Sequence, residues 1–218
     1  MLILALDSAG SACSSALWRD GVVVARRFAA MARGQSEALI PMVQAVMDEA
    51  GCAFGQVDLL AVSVGPGAFT GIRIGLSAAR ALALAAAKPL AGIATTEAIA
   101  AAIPAGERQD HTVMVVVDSR RAELWVQVFS ADLVALGPIQ ALLPEQAALA
   151  VSASGPVILA GDGAAQVAHL LPGARLASTD GFVDAVQVAQ LAAARWPAGV
   201  LAPEPLYLRP ADVTLACA

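Results

Sequence analysis

Histidine is almost missing from this 218-residue chain, where His111 and His169 are the only two. They stand far apart and in neither an HxxxH nor an HxxE arrangement, so the common helical metal-ligand pattern is excluded. No Ser-His-Asp set is marked out either, because neither histidine has an obvious partner. The three cysteines, Cys13, Cys52 and Cys217, are odd in number and widely spaced. That excludes a disulfide framework or a zinc site and fits reduced thiols. Charge is scarce as well, at 14% of residues against about a quarter in ordinary globular chains. The balance of 13 basic and 18 acidic residues, net −5, argues against a surface that broadly attracts nucleic acid. Two small basic groups, Arg26 with Arg27 and Arg33, and Arg120 with Arg121, read as solvated surface charge. Apolar runs are broken by Arg73, Arg80, Lys88 and Pro89 before the roughly 18 to 20 residues a membrane span needs. The start, MLILALD, lacks a basic leader region and a cleavage site, so it reads as a strand. With no targeting segment visible, the cytoplasm is the expected compartment, and no membrane partner is expected.

What is plentiful is apolar side chain, 58% of residues. Much of it is alanine, which suits closely packed helices. Glycine and proline concentrate in GPGAFTGIRIG, residues 65–75, between an apolar strand at 59–64 and an Ala/Leu-rich helix at 76–87. Four glycines and a proline in a strand-to-helix turn call for positive φ or close backbone approach. If helix begins near Thr70, its free N–H groups and dipole favour an anion or an acidic partner. Two readings stand together: a phosphate loop or docking surface, and a tight turn whose glycines let helix and sheet approach. The motif is neither GxxxxGK[ST] nor GxGxxG.

The rest of the chain reads as two copies of one plan. Residues 2–6 form a strand ending at Asp7, residues 14–19 a second, Asp20-Gly21 a hairpin turn, and residues 22–28 a third. A helix follows in QSEALIPMVQAVMDEAG, with Ser36 as N-cap and Gly51 as its stop. After the strand at 59–64, the glycine loop and its helix come a short strand at 91–94, a helix at about 96–103 and a polar linker at 104–110. Strands are then expected at 113–117, ending at Asp118, and at 123–129, with a third at 133–136. A helix at 145–151, a strand at 157–160, a Gly161-Asp162-Gly163 turn and a helix at 164–171 complete the second copy. A helix at 182–196 and an extended, proline-rich segment at 203–210 close the chain. Each half thus runs β-β-β-α-β-α, with an aspartate ending its first strand and a glycine turn ending its fourth.

That duplicated order is the plan of the actin, Hsp70 and sugar-kinase superfamily. The fold class expected is therefore α/β, with two lobes, 1–104 and 105–218, each a mixed sheet flanked by helices, and a tail from about 203 returning over the first lobe. In that superfamily the cleft between lobes takes nucleotide. The candidate nucleotide residues here are Asp7, Ser8, Gly65, Gly67 and Thr70 in the first half, and Asp118, Gly161 and Gly163 in the second. They define one functional hypothesis, a stand-alone ATP-dependent phosphotransferase or ATPase.

Several stretches, ILALDSAGSACSSAL, QSEALIP, GPGAFTGIRIG, DSRRAELWVQVF and PLYLRPA, together resemble the TsaB (YeaZ-like) family over nearly the whole chain. That resemblance implies a non-catalytic scaffold subunit of the bacterial machinery that builds threonylcarbamoyladenosine in tRNA. It also implies pairing with the catalytic TsaD subunit and with the ATPase TsaE, a homodimer when alone, and contact with tRNA only through the complex. No cofactor is required on this view, though weak nucleotide binding is compatible with it. The family often shows His-Ser-Glu where this chain has Gln35-Ser36-Glu37, which removes a titrating group. A glycoprotease-like activity, attached to relatives, finds neither metal ligands nor a nucleophile set here.

A subunit needs surplus apolar surface, and the first helix is expected to offer it. Leu39, Val43, Val46 and Ala50 form one stripe, and Ile40 and Met47, widened by Met42, form another. With Ile72, Gly75, Leu76 and Ala79 of the following helix, Leu39, Ile40, Met42, Val43, Val46 and Met47 make up the expected partner interface.

Overall fold

The computed structural model describes residues 1–151 and 155–208. The C-terminal Pro210 end of the extended segment and Cys217 lie outside the described residues. Two five-stranded sheets are built the same way. In the first half, β1 (Leu2–Asp7), β2 (Ala12–Arg19) and β3 (Val22–Ala30) form an antiparallel meander. Asp20 and Gly21 both take positive φ, 47° and 96°, the geometry a two-residue hairpin turn demands. Then α1 (Gln35–Glu49), β4 (Leu59–Gly65), α2 (Phe69–Ala86), β5 (Leu90–Ala94) and α3 (Thr95–Ala102) follow. β4 joins β1 and β5 joins β4, both parallel, giving the order β3-β2-β1-β4-β5.

The second half repeats this. After one turn of helix, α4 (Ala105–Arg108), come β6 (Thr112–Asp118), β7 (Leu124–Phe129), β8 (Gln140–Leu142), α5 (Pro144–Leu149), β9 (Val157–Ala160), α6 (Ala164–Ala168), β10 (Arg175–Leu176) and α7 (Ala185–Arg195). The sheet order β8-β7-β6-β9-β10 is the same topology as the first. This is the duplicated two-lobe α/β fold.

The central strands are apolar on both faces because both faces are covered. In β1, Leu2, Leu4 and Leu6 join the core under α1 and α2, while Ile3 and Ala5 face the other way. That second face meets α7, and α3 packs against β6. One apolar cluster therefore runs from Ile3 and Ala61 through Ala98, Ile99, Val188 and Ala189 to Val115 and Ile158. Alanine-rich α3 and α7 are slim enough to fill the space between two sheets. The first sheet comes wholly from residues before 104 and the second from residues after 105. The chain crosses back, however, earlier than a return at 203: α7 lies on the first sheet, and Leu201 pairs with Gly92.

Several local expectations need correction. Ser36 is not the N-cap of α1; Gly34 is, with φ of 100°, which a serine would adopt only under strain. Residues 104–110 are not a loose linker. They contain α4, and Glu107 accepts from the backbone N–H and hydroxyl of Ser178 at 2.8 and 2.7 Å. The third strand of the second sheet is Gln140–Leu142, and residues 133–136 form a turn with one bridge, Phe129 to Ala135. The helices at 164 and 182 are shorter than expected, and β10 was not foreseen because it is two exposed residues long. α2 is long and apolar enough, at 18 residues, to pass a membrane-span test by length and composition. It nevertheless carries Arg73 and Arg80 and packs one face on β4.

Candidate functional site

The ends of β1 and β6 face one cleft, and the glycine motif shapes its first side. Gly67 in the loop before α2, and Gly71 and Gly75 on the face of α2, recur every four residues against the turn after β1. A Cβ on Gly67 would lie 2.2 Å from the carbonyl oxygen of Ala9, and one on Gly71 would lie 2.1 Å from that of Ser8. On Gly75 it would meet the Ser8 hydroxyl at 2.9 Å. The backbone N–H of Ala68 donates to Ala9 O at 2.7 Å, and Ser8 Oγ donates to Gly71 O at 2.9 Å. Gly65 ends β4 with φ of 113°, a conformation reserved for glycine. Of the two readings of this loop, the geometry displays the close approach of helix to turn.

Asp7, at the end of β1, is wholly buried, 0% exposed. Its Oδ1 accepts from Ser63 Oγ and from the backbone N–H of Ala9 at 3.2 Å; its Oδ2 has no hydrogen-bond partner. Burial raises its pKa to about 7, outweighing the lowering effect of Ser63 and Ala9, while nearby Asp184 adds to the rise. A carboxyl in this setting holds a proton near neutrality. Ser8 is equally buried, and Thr70 is exposed on the cleft wall.

The second side carries more charge. Asp118 ends β6, and its backbone N–H donates to Asp162 Oδ1 at 2.9 Å. Gly161, at φ 103°, and Gly163 bring this turn against Val116 and Asp118. Arg120 pairs with Asp118 at 3.1 Å and with Asp162 at 3.6 Å. Burial raises the Asp162 pKa, and Arg120 pulls it back. The cleft, about 450 Å³, is lined also by Arg33 and Gln35. Gln35 donates from its amide to Gly10 O at 3.1 Å and Met31 O at 3.2 Å, so in this chain it ties the β1–β2 turn to the start of α1. Among the described residues no group of three His, Cys, Asp or Glu side chains gathers as a metal site.

The expected partner residues divide. Leu39, Val43, Val46, Met47, Ile72, Gly75, Leu76 and Ala79 are all buried against the first sheet, with Met47 only 2% exposed. Their expected exposure is corrected: this stripe is the one that builds the lobe's own core. Ile40 is 49% exposed and Met42 half-buried. The large apolar side chains that α1 and α2 leave exposed are Ile40, Phe69 and Leu84, Leu84 being 85% exposed; Met42, Ala45, Ile74 and Ala78 are half-buried, and Met42, Ile74 and Ala78 pack against the edge of the core. Periodicity accounts for the α2 part: once Ile72, Leu76, Ala79 and Ala83 face inward, Ile74 and Ala78 fall on the flank of the helix and stay half-buried. Arg120 and Asp162 were not singled out as cleft residues, because nothing in their spacing marks them.

Two like lobes around a cleft give this molecule the duplicated actin-, Hsp70- and sugar-kinase-like fold. The activator of the 2-hydroxyisocaproyl-CoA dehydratase from Clostridium difficile shares that fold, with a TM-score of 0.52 at 10% identity over 88% of this chain and 94% of that one. A family model described as TsaD, tRNA N6-adenosine threonylcarbamoyltransferase, matches residues 29–151. YeaZ from Pseudomonas aeruginosa superposes with a TM-score of 0.80 at 28% identity, covering 95% of this chain and 99% of that one. The tRNA threonylcarbamoyladenosine biosynthesis protein TsaB of Escherichia coli K12 is 38% identical over 133 residues, 61% of this chain and 56% of that protein. The TsaB of Bacillus subtilis is 26% identical over 146 residues, 67% of this chain and 61% of its own length. The chain thus aligns with a little over half the length of these relatives. It belongs to the TsaB (YeaZ-like) family.

Proposed function

We propose that this chain acts in forming threonylcarbamoyladenosine in tRNA as a non-catalytic subunit that pairs with a TsaD catalytic subunit through the outer face of α1 and α2. The observation that carries the reading lies on those helices: Ile40 and Leu84 are exposed, and Met42, Ala45, Ile74 and Ala78 keep part of their apolar surface in solvent although the lobe has packed its own core. An apolar patch on neighbouring helices is the usual mark of a protein contact. A second copy of the chain occupies the face when TsaD is absent, and TsaE joins the assembled pair. tRNA is met through the complex, and a role in tRNA modification goes with a cytoplasmic location.

The stand-alone phosphotransferase reading is less well supported. It needs Asp7 to reach a metal or its water from the cleft, yet Asp7 is wholly buried and is not among the residues that line the cleft. The test is to mix the chain with the cognate TsaD on a sizing column and to measure threonylcarbamoyladenosine in tRNA from a deletion strain. The proposal expects a complex and a loss of the modification. Separate elution together with unchanged tRNA disposes of it, and magnesium-dependent ATP turnover by the chain alone, lost in Asp7→Asn, would favour the phosphotransferase.

A further inference from the structure

We infer that Arg120 is a built-in clasp across the mouth of the cleft, its guanidinium standing where a cation between Asp118 and Asp162 would stand and tying the β6–β7 turn to the β1–β2 turn through Ser11. Four contacts converge on this residue. Its backbone N–H donates to Asp118 Oδ1 at 2.7 Å, and its Nη1 pairs with Asp118 Oδ2 at 3.1 Å, so one carboxylate is gripped from both ends. Nη2 faces Asp162 Oδ2 at 3.6 Å. The same Nη2 donates to Ser11 Oγ, at 2.5 Å, across the cleft from a residue 109 positions away.

The backbone reinforces the case. Arg120 has φ of 61°, the left-handed region that a non-glycine residue enters only under strain. Such strain persists where surrounding contacts over-determine it, and those contacts are the ones just named. Asp118 and Asp162 are joined by a backbone hydrogen bond and are each mostly buried, with side chains 17% and 16% exposed. Two carboxylates so placed repel each other, and a cation set between them relieves that repulsion. Arg120 supplies it from within the chain, so the repulsion between the carboxylates is eased without an added ion and the two turns are held together. The shared apolar core fixes the lobes, so the clasp governs only the turns at the cleft mouth.

The test compares wild type with Arg120→Ala and Ser11→Ala by hydrogen exchange and by Mn²⁺ titration followed by electron paramagnetic resonance. Losing the clasp bond is expected to speed amide exchange in residues 8–11 by roughly three- to tenfold, the range of one hydrogen bond, in both variants. Arg120→Ala alone is expected to take up Mn²⁺, and adding Asp162→Asn is expected to abolish that uptake. Ser11→Ala keeps Arg120 between the carboxylates and stays without the ion. Unchanged exchange in both variants overturns the proposal, as does wild type binding Mn²⁺ as tightly as Arg120→Ala.

Discussion

Asp7 is a residue whose chemistry is far displaced from its ordinary state, and its pH dependence has a definite sign. An aspartate ordinarily titrates near 3.8, and burial moves Asp7 to about 7. The folded state therefore binds a proton more tightly than the unfolded state between those values. The contribution of Asp7 to stability is fully present below about pH 4 and is lost as pH rises through 7. Asp7→Asn keeps a neutral group of the same shape and removes the titration. Melting temperatures at pH 5 and pH 8 should fall less between the two values in Asp7→Asn than in wild type, the difference being of order 3 kcal/mol. Equal slopes would mean that Asp7 does not hold its proton. Gly71 gives a second prediction at this scale. Alanine there drives a Cβ into the Ser8 carbonyl and should destabilise by about 3 kcal/mol in denaturant titration. Gly10→Ala, which meets nothing within 4 Å, should be nearly neutral.

At the scale of elements, α1 shows what a sequence can and cannot decide. Its existence was legible from its apolar spacing, and so was the stop at Gly51. Which stripe faces inward was not, because Leu39, Val43, Val46 and Met47 are no more apolar than Ile40 and Met42. Only the sheet beneath α1 selects between them. The consequence is testable. Met47→Asp places a carboxylate in the lobe's core and should destabilise by about 3 to 5 kcal/mol, so any loss of pairing it causes reflects unfolding. Ile40→Asp, on the outer face, should leave the circular dichroism melt within about 0.5 kcal/mol of wild type. β8 was missed for a related reason. It is a three-residue edge strand whose pairing with β7 is set by the turn before it, and so short a strand leaves no periodic signal. The glycine motif was legible as a strand-to-helix turn, while its choice between anion loop and close packing depended on the Ser8–Ala9 backbone arriving from 60 residues earlier.

For the whole molecule, the repeated β-β-β-α-β-α order was readable because each half carries the same sequence of buried strands and turns. The exchange of helices was not, since nothing in the composition of α7 says which sheet it covers. That exchange makes the first sheet dependent on the far end of the chain. Asp184 caps α7 by accepting from Val186 at 2.9 Å, and it also pairs with Arg26 of β3 at 2.5 Å. A chain truncated after residue 183 leaves Ile3, Ala5 and Ala61 without their cover. It should lose cooperative unfolding and bind a hydrophobic dye, whereas a native-like melt would show that α7 is dispensable.

The account turns on the outer face of α1 and α2 being made for another protein. The most direct measurement is the affinity of Ile40→Asp for the cognate TsaD by isothermal titration calorimetry, with the melt of the same sample as control. We predict a loss of at least tenfold in affinity with an unchanged melt, the effect of a charge set in an apolar contact. Wild-type affinity in a folded Ile40→Asp protein would contradict it.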